Sequence, residues 1–356
     1  MSPCHLFSPA SNRPPLVHPL VRDLAWLIGA PDLVNTTWPG RPTRHDLGLE
    51  DPGVLASYLA RVERHPESLE QHTGKAAFTR LGQYHERLWQ FLLDTAPATT
   101  LLAHNIPVRA DRRTLGELDL VYRKHDGTVV HLEVAVKFFL GLIHGPRSPN
   151  DMARWIGPGG LDSLSLKVHH LLHHQLPLTQ TKEARQVLND VLSELPGAAP
   201  ATRNALATSC PEVQLAMPGV LFSPWNHPLP VPDELNPDAY QGLWCHWSDW
   251  SRLCSELDEM RFGTCLAKPH WLAPPLPPHW MSRTSLSRTL AAHFATYATP
   301  LQLMLCAEPQ YFSDLPFTLQ CHADEKNKDA PSKYAGRRVF VVGDDWPRQI
   351  PLPPLA

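Results

Sequence analysis

The chain has 356 residues, 43% hydrophobic and 19% charged, with a formal net charge of −3 and a pI of about 6.7. That length can bury a sizeable core in one elaborated domain or two. The near-neutral balance excludes a global basic field for tight non-specific nucleic-acid binding, so any such contact relies on local patches such as Arg109, Arg112 and Arg113.

Residues 1–18 read as a proline-rich arm containing Pro3, Pro9, Pro14 and Pro15. It lacks the basic start and apolar run of a signal peptide. No later segment is long enough to span a membrane. The 7 cysteines are an odd, scattered set without a CxxC pair, which fits a reducing compartment better than a disulfide framework. A soluble, cytoplasmic protein is expected.

A helix is predicted from Lys75 to Leu93, where Phe78, Leu81, Leu88 and Leu92 recur at helical spacing. Glu86 borders this apolar arc, one turn after Gly82. A glycine inside a helix costs about 1 kcal/mol relative to alanine, so close backbone packing is expected beside it. Alone, Glu86 reads as a solvated edge residue.

Next come two strands, Gly116-Glu117-Leu118-Asp119 and His131-Leu132-Glu133-Val134-Ala135-Val136-Lys137. Strand side chains return to the same face every second residue. Glu117, Asp119 and Val121 therefore share one face of the first strand, opposite Leu118, Leu120 and Tyr122. In the second, His131, Glu133, Ala135 and Lys137 oppose an apolar face of Val130, Leu132, Val134, Val136 and Phe138. The link Arg123 to Thr128 contains Asp126-Gly127, a strong hairpin signal. If the hairpin closes in that register, Asp119, Glu133 and Lys137 converge. The plain alternative is a sheet with one face in water.

The segment Gly141 to Gly160 has little periodicity, and loops this long are usually functional or disordered. Its Arg147, Arg154 and Trp155 could hold phosphate and stack on a base; the alternative is an ordinary covering loop. A helix follows near Leu161 to Leu176, with Asp162 as its N-cap and Leu161, Leu164, Val168, Leu171 and Leu172 as its buried stripe. Gln175 falls on the same stripe, where an amide needs partners, either in a structural network or in a site. His169, His170, His173 and His174 have the spacing of helical metal ligands. They lack the glutamate of a metalloprotease motif, which leaves a solvated face as the simpler reading.

Proline occurs 38 times and clusters at Phe222 to Pro237 and Pro269 to Pro278. These stretches read as rigid connectors among Trp225, Trp244, Trp247, Trp250, Trp271 and Trp280. A helix near Ser285 to Tyr297, strands at Leu301 to Cys306 and Arg338 to Val342, and an exposed loop at Ala323 to Tyr334 complete a mixed α/β layer. The expected division is an arm at 1–18, an α/β core at 19–225 and a Trp/Pro-rich α/β region at 226–356.

The succession of a helix with Glu86, a strand with Asp119 and a strand with Glu133 and Lys137 resembles the PD-(D/E)XK nuclease superfamily. The resemblance implies a restriction-endonuclease-like α/β core, a central mixed sheet flanked by helices, here with a C-terminal α/β elaboration. Its pieces are Lys75 to Leu93, Leu101 to Val108, Leu115 to Arg123, Val129 to Phe139, Leu161 to Leu176 and Glu212 to Phe222. More narrowly, four phrases look like the bacterial family called domain of unknown function 1853. They are Val21-Arg22-Asp23-Leu24-Ala25-Trp26, Gly116-Glu117-Leu118-Asp119, Glu133-Val134-Ala135-Val136-Lys137-Phe138 and Trp155-Ile156-Gly157-Pro158.

Carried onto this chain, the superfamily resemblance makes Asp119 and Glu133 the ligands of Mg²⁺ or Mn²⁺. It makes Lys137 the active-site lysine and Glu86 the helix carboxylate, with Glu117 and Gln175 as further candidates. Magnesium prefers oxygen ligands and keeps several waters. It lowers the pKa of a bound water, and a nearby lysine stabilises the charge that grows on phosphate. The implied activity is hydrolysis of nucleic acid, DNA before RNA, without a membrane partner. One departure stands out: Ala135 occupies the superfamily's lysine position, and Lys137 follows about 6.6 Å farther along a regular strand. An inactive relative that binds nucleic acid or a protein partner is the alternative.

Overall fold

The computed structural model describes residues 15–74, 80–111, 113–145, 147–193, 211–309 and 336–347. Most of the N-terminal arm, the first residues of the Lys75 helix including Phe78, Arg112, and the Ala323 to Tyr334 loop lie outside them. Contacts divide the chain into two compact units that alternate along the sequence. A terminal unit comprises Met1–Leu33, Lys137–Leu166 and Gly219–Ala356, and an inserted unit comprises Val34–Val136 and Lys167–Pro218. Each unit contains one mixed sheet with helices beside it.

In chain order the elements begin with α1 (Pro19–Gly29), α2 (Pro52–Arg64), α3 (Glu67–Thr73) and α4 (Leu81–Thr95). Strands β1 (Thr99–Ala110), β2 (Arg113–Lys124), β3 (Val129–Val134), β4 (Lys137–Gly141) and β5 (Trp155–Ile156) follow. Then come α5 (Leu164–His170), α6 (Lys182–Ser193), β6 (Glu212–Ala216), β7 (Gly219–Pro224) and β8 (Tyr240–His246). The chain continues through α7 (Trp250–Glu256), β9 (Phe262–Cys265), β10 (Met281–Ser282), α8 (Arg283–Phe294), β11 (Leu301–Cys306) and β12 (Arg337–Val342).

The inserted unit's sheet has the order β1-β2-β3-β6, antiparallel between its first three strands and parallel between β3 and β6. The Asp-Gly turn forms as expected: Gly127 takes φ 92°, Lys124 N donates to Thr128 O at 2.9 Å, and Thr128 N donates to the Asp126 carboxylate at 2.9 Å. Only glycine adopts such a φ readily, which explains the residue at this turn. α2 starts on a strong cap, Asp51 accepting from Gly53 N and Val54 N, with Pro52 at the first helical position. α6 buries Ala184, Leu188 and Leu192 against Ile106, Val108, Leu118 and Val121. That apolar contact removes a stripe of α6 from water and so stabilises the inserted unit.

One predicted strand, Val129 to Phe139, is in fact two. β3 ends at Val134, and Lys137 opens β4 in the other sheet. The partner segment Glu212 to Phe222 breaks likewise into β6 and β7. The pairing offset is kept across the break, with Val134 opposite Ala216 and Lys137 opposite Gly219. Pro218 accounts for the interruption, since it has no N–H for the ladder. Gly219 is required beside it, because a Cβ there would lie 1.8 Å from Lys137 O.

The terminal unit's sheet has the order β10-β9-β11-β12-β8-β7-β4-β5. Its central pairs β12/β8, β8/β7 and β7/β4 are parallel, and the others antiparallel. Parallel strands are usually buried on both faces, and here Val339 to Val342 and Val220 to Phe222 are almost inaccessible. Nine of the 11 residues of α1 are buried. α7 and α8 contribute Trp250, Leu253, Leu286 and Leu290 to a cluster with Leu303, Leu305, Val339 and Val341. The strands predicted at Leu301 and Arg338 and the helix near Ser285 are present, the helix beginning at Arg283 with Ser282 as its cap. Cys245, Cys254, Cys265 and Cys306 are free thiols. Among the described residues no helix is long and apolar enough to cross a membrane.

Candidate functional site: a buried carboxylate cluster

The β3 part of the face expected to meet water if the hairpin were ordinary is closed, while on β2 Asp119 is half-buried and Glu117 exposed. His131 and Glu133 are both 0% exposed. The β2/β3 register pairs Leu120 with Leu132 and Val121 with His131, so Asp119 and Glu133 are the residues that follow the last pair on the two strands. Val134 N donates to Asp119 Oδ2 at 3.1 Å, fixing that carboxylate against the end of β3. Asn105, between the β1/β2 pairs His104–Leu120 and Ile106–Leu118, stands on the other side of Asp119.

Glu133 is held at both oxygens. His131 Nε2 lies 2.9 Å from Oε1, and Gln175 Nε2 donates to Oε2 at 2.6 Å. Burial pushes the His131 imidazole down to about 4, so it is neutral near pH 7. In that form Nε2–H donates to Glu133 while Nδ1 accepts from the Thr179 hydroxyl at 2.6 Å. Gln175 Oε1 in turn accepts from Lys167 Nζ at 3.0 Å and lies 3.0 Å from His170 Nδ1. The amide is therefore networked and in direct contact with the Glu133 carboxylate.

Local backbone explains how Gln175 gets there. After α5 the chain makes a π-turn over Leu171–Gln175 and a 3₁₀ segment over Leu176–Gln180. Pro177 cannot donate the next α-helical hydrogen bond. Such widened turns re-aim the residues they contain.

Glu86 on α4 joins the same field. Its Oε1 accepts from Asn105 Nδ2 at 2.6 Å and from Gln90 Nε2 at 3.0 Å. Desolvation, then the neighbouring Glu133 charge and more weakly Glu86, lift Asp119 well above the usual carboxylate range. Desolvation also raises Glu133, with the Lys167 ammonium acting against the rise. Among the described residues three carboxylates thus act on one another with the Lys167 ammonium opposing them, a surplus of partly buried negative charge that favours taking up a proton or a metal.

No group of three or more His, Cys, Asp or Glu among the described residues already has closed metal-ligand spacing. The donor set fits an open magnesium site instead, with two protein carboxylates and the remaining positions left to waters and phosphate oxygens. Asp119 and Glu133 would hold the ion.

The other predicted residues fare differently. Lys137, at the head of β4 in the terminal unit, pairs with Asp162. That contact also corrects the expected N-cap: Ser163 Oγ, not Asp162, accepts from Leu166 N at 3.2 Å. Glu117 is exposed on β2. Arg147 is exposed, 3.5 Å from Asp151. Arg154 is buried and donates to the carbonyls of Leu142, Ile143 and Arg147, so it organises its own loop. Trp155 is 1% exposed and packs on Gly141, which removes the ring from base stacking.

Leu161 is 74% exposed and outside the stripe it was assigned to, because the helix begins only at Leu164. The close packing expected at Gly82 is absent: a Cβ there meets nothing described within 4 Å. His169, His170, His173 and His174 lie on an exposed surface, with tilted ring pairs at 4.5 Å (His169–His173) and 5.4 Å (His170–His174) between centroids. Lys167, Asn105 and Thr179 were missed by sequence reasoning. Only pairing partners and a non-α turn bring them in, and neither has a local sequence signal.

Fold and site together define an α/β protein with three carboxylates, on α4, β2 and β3, gathered at one mixed sheet around the buried Glu133. The model of the family Domain of unknown function (DUF1853) matches residues 22–342, so the chain belongs to that family, as its four phrases led us to expect. No curated protein and no solved structure matches it.

Proposed function

We propose that the inserted unit is a metal-dependent nuclease centre of the PD-(D/E)XK kind, acting on DNA in preference to RNA. The observation that carries this is the half-buried Asp119 beside the fully buried Glu133, with Glu86 adding negative charge, His131 and Gln175 fastening the second acid and the Lys167 ammonium acting on it through its charge. The order α4, β1, β2, β3, α5, β6, with β6 parallel to β3, supports it, since this is the order implied by the resemblance. The terminal unit then carries the elaboration.

Bound Mg²⁺ would acidify a water and neutralise phosphate charge. The chain's own part is to hold two carboxylates in fixed orientation. Glu133 cannot rotate without breaking its bonds to His131 and Gln175. Such supporting contacts usually matter nearly as much as the ligands. For the cation that stabilises charge on phosphate, Lys167 is the stronger candidate, because its charge acts on Glu133. Lys137 is engaged by Asp162, and this engagement is also what favours the second reading, a binding protein without cleavage.

The test incubates purified protein with single-stranded, duplex and branched DNA and with RNA, with Mg²⁺ or Mn²⁺, beside Asp119→Ala, Glu133→Ala, Lys167→Ala and Lys137→Ala. Cleavage by wild type that is lost in both acid variants is expected. Lys167→Ala should lower the rate by about 10²-fold or more, with a smaller effect of Lys137→Ala. Equal cleavage by wild type and both acid variants contradicts the proposal, and binding without cleavage favours the second reading.

A further inference from the structure

The terminal unit buries a second set of ionisable groups, within the Val21-Arg22-Asp23 phrase, which the carboxylate cluster leaves without a purpose. Asp23, on α1 and 1% exposed, accepts from Ala273 N at 2.9 Å through one oxygen. Its other oxygen lies 2.7 Å from His270 Nδ1. Arg22 beside it donates to the carbonyls of Pro274 (2.9 Å) and Leu16 (2.8 Å). Arg338, fully buried on β12, donates to the carbonyls of Trp271 and Leu272.

Three buried charged side chains therefore fasten four consecutive residues of a proline-rich segment that has little regular structure. Burying an ion costs several kcal/mol before its partners repay it. A connector would not need this, since proline already stiffens it. What the clamp fixes is an imidazole on the wall of a cavity.

That cavity has a volume of about 400 Å³ and is lined by Arg22, Asp23, His270 and His279 among its polar residues. It is within the range of small-molecule sites. Asp23 is the one carboxylate on the wall, and both its oxygens are already engaged. The hydrogen bond to Asp23 raises the His270 pKa, which increases its protonated share near neutrality. Pro19, Arg22 and Asp23 come from one face of the first turns of α1. Among the described residues this helix has no side-chain hydrogen bond at its N-cap and no acid in its first turn, where the positive end of the helix dipole lies. Leu266, Leu276, Pro274 and Pro275 supply an apolar wall.

We propose that this cavity binds a phosphomonoester, its phosphate among Arg22, His270 and His279 and its organic body against Leu266, Leu276 and Pro275. A terminal phosphate suits the site because it offers three oxygens and a second negative charge to cationic groups arriving from different segments. The proposal is independent of the nuclease reading.

The experiment is calorimetric titration of the full chain with phenyl phosphate in EDTA, with inorganic phosphate, benzoate and benzyl alcohol as separate arms. EDTA keeps the carboxylate cluster out of the measurement. Phenyl phosphate is expected to bind with a Kd of about 1 mM or below, about tenfold more tightly than each other arm. His279→Ala, at an exposed position, should weaken it about fivefold or more at unchanged Tm, and His270→Gln, which takes the imidazole from the buried Asp23, should weaken it as much at a lowered Tm. No saturable binding of phenyl phosphate, or binding unchanged in both variants, overturns the site. Benzoate binding as tightly overturns the phosphate assignment, and inorganic phosphate binding as tightly overturns the role of the apolar wall.

Discussion

A fully buried glutamate is a liability to a fold unless something compensates it, and Glu133 is compensated by an amide, an imidazole and a nearby ammonium rather than by a salt bridge of its own. Asp119, beside it, has a backbone N–H and two like charges. Such an arrangement weakens the metal-free protein, and under the proposed function a cation relieves it. Asp119→Asn removes the costly charge while keeping the shape, and it should leave Tm at pH 8 equal to or above wild type while Mg²⁺ no longer raises it. Gln175→Ala keeps both ligands but frees Glu133 on one side, and a drop of about 10–100-fold in metal affinity is expected by Mn²⁺ titration. At this scale the two acids were legible, because polar residues alternating through apolar strands stand out. Their burial was not, since a solvated face and an enclosed one share the same period. Lys167, Asn105 and Thr179 carried no local mark.

Among the elements, helices and strands followed their periodicity closely, and the differences fall where one residue overrides a pattern. Alternation runs without a gap from Val129 to Phe139, so nothing in that segment announces the break before Lys137. The signal was in the partner, where Pro218 interrupts β6 and β7. Gly219→Ala should therefore destabilise the terminal unit by about 3 kcal/mol or more in urea unfolding, because a methyl group placed 1.8 Å from Lys137 O forces the β4/β7 pair apart. The Arg147 to Trp155 loop misled in the opposite way. Its arginine and tryptophan suggest a nucleic-acid surface, yet Arg154 binds three carbonyls and Trp155 is a core residue. Residue type cannot distinguish these uses when the loop's own backbone is the partner. The π-turn at Leu171–Gln175 was equally hidden, although Pro177 marks where an α-helix had to change.

For the molecule as a whole, pH acts on the inserted unit through two opposed sets of buried groups. His85 and His131 are held neutral, pushed down to about 3 and about 4 by desolvation. Their stabilising contribution is present above the unfolded value of 6.5 and is lost as pH falls toward the folded values. Asp119 and Glu133 are raised, so their contribution is present below the unfolded carboxylate range and is lost as pH rises through neutrality. Between the unfolded carboxylate and histidine values the two sets cancel in part. Above 6.5 only the acids act, and Tm in EDTA should decline toward pH 8. Saturating Mg²⁺ should remove most of that decline by binding the deprotonated pair, and Asp119→Asn should flatten it without metal.

The claim at the centre of this account is that Asp119 and Glu133 together hold a divalent cation. Calorimetric titration of Mn²⁺ into wild type, Asp119→Asn and Glu133→Gln at pH 7.5, in two buffers of different ionisation enthalpy, addresses it most directly. One Mn²⁺ per chain, proton release in wild type and a loss of about 10-fold or more in affinity in each variant are predicted. Absence of Mn²⁺ binding to wild type, or equal binding by all three proteins, contradicts the claim.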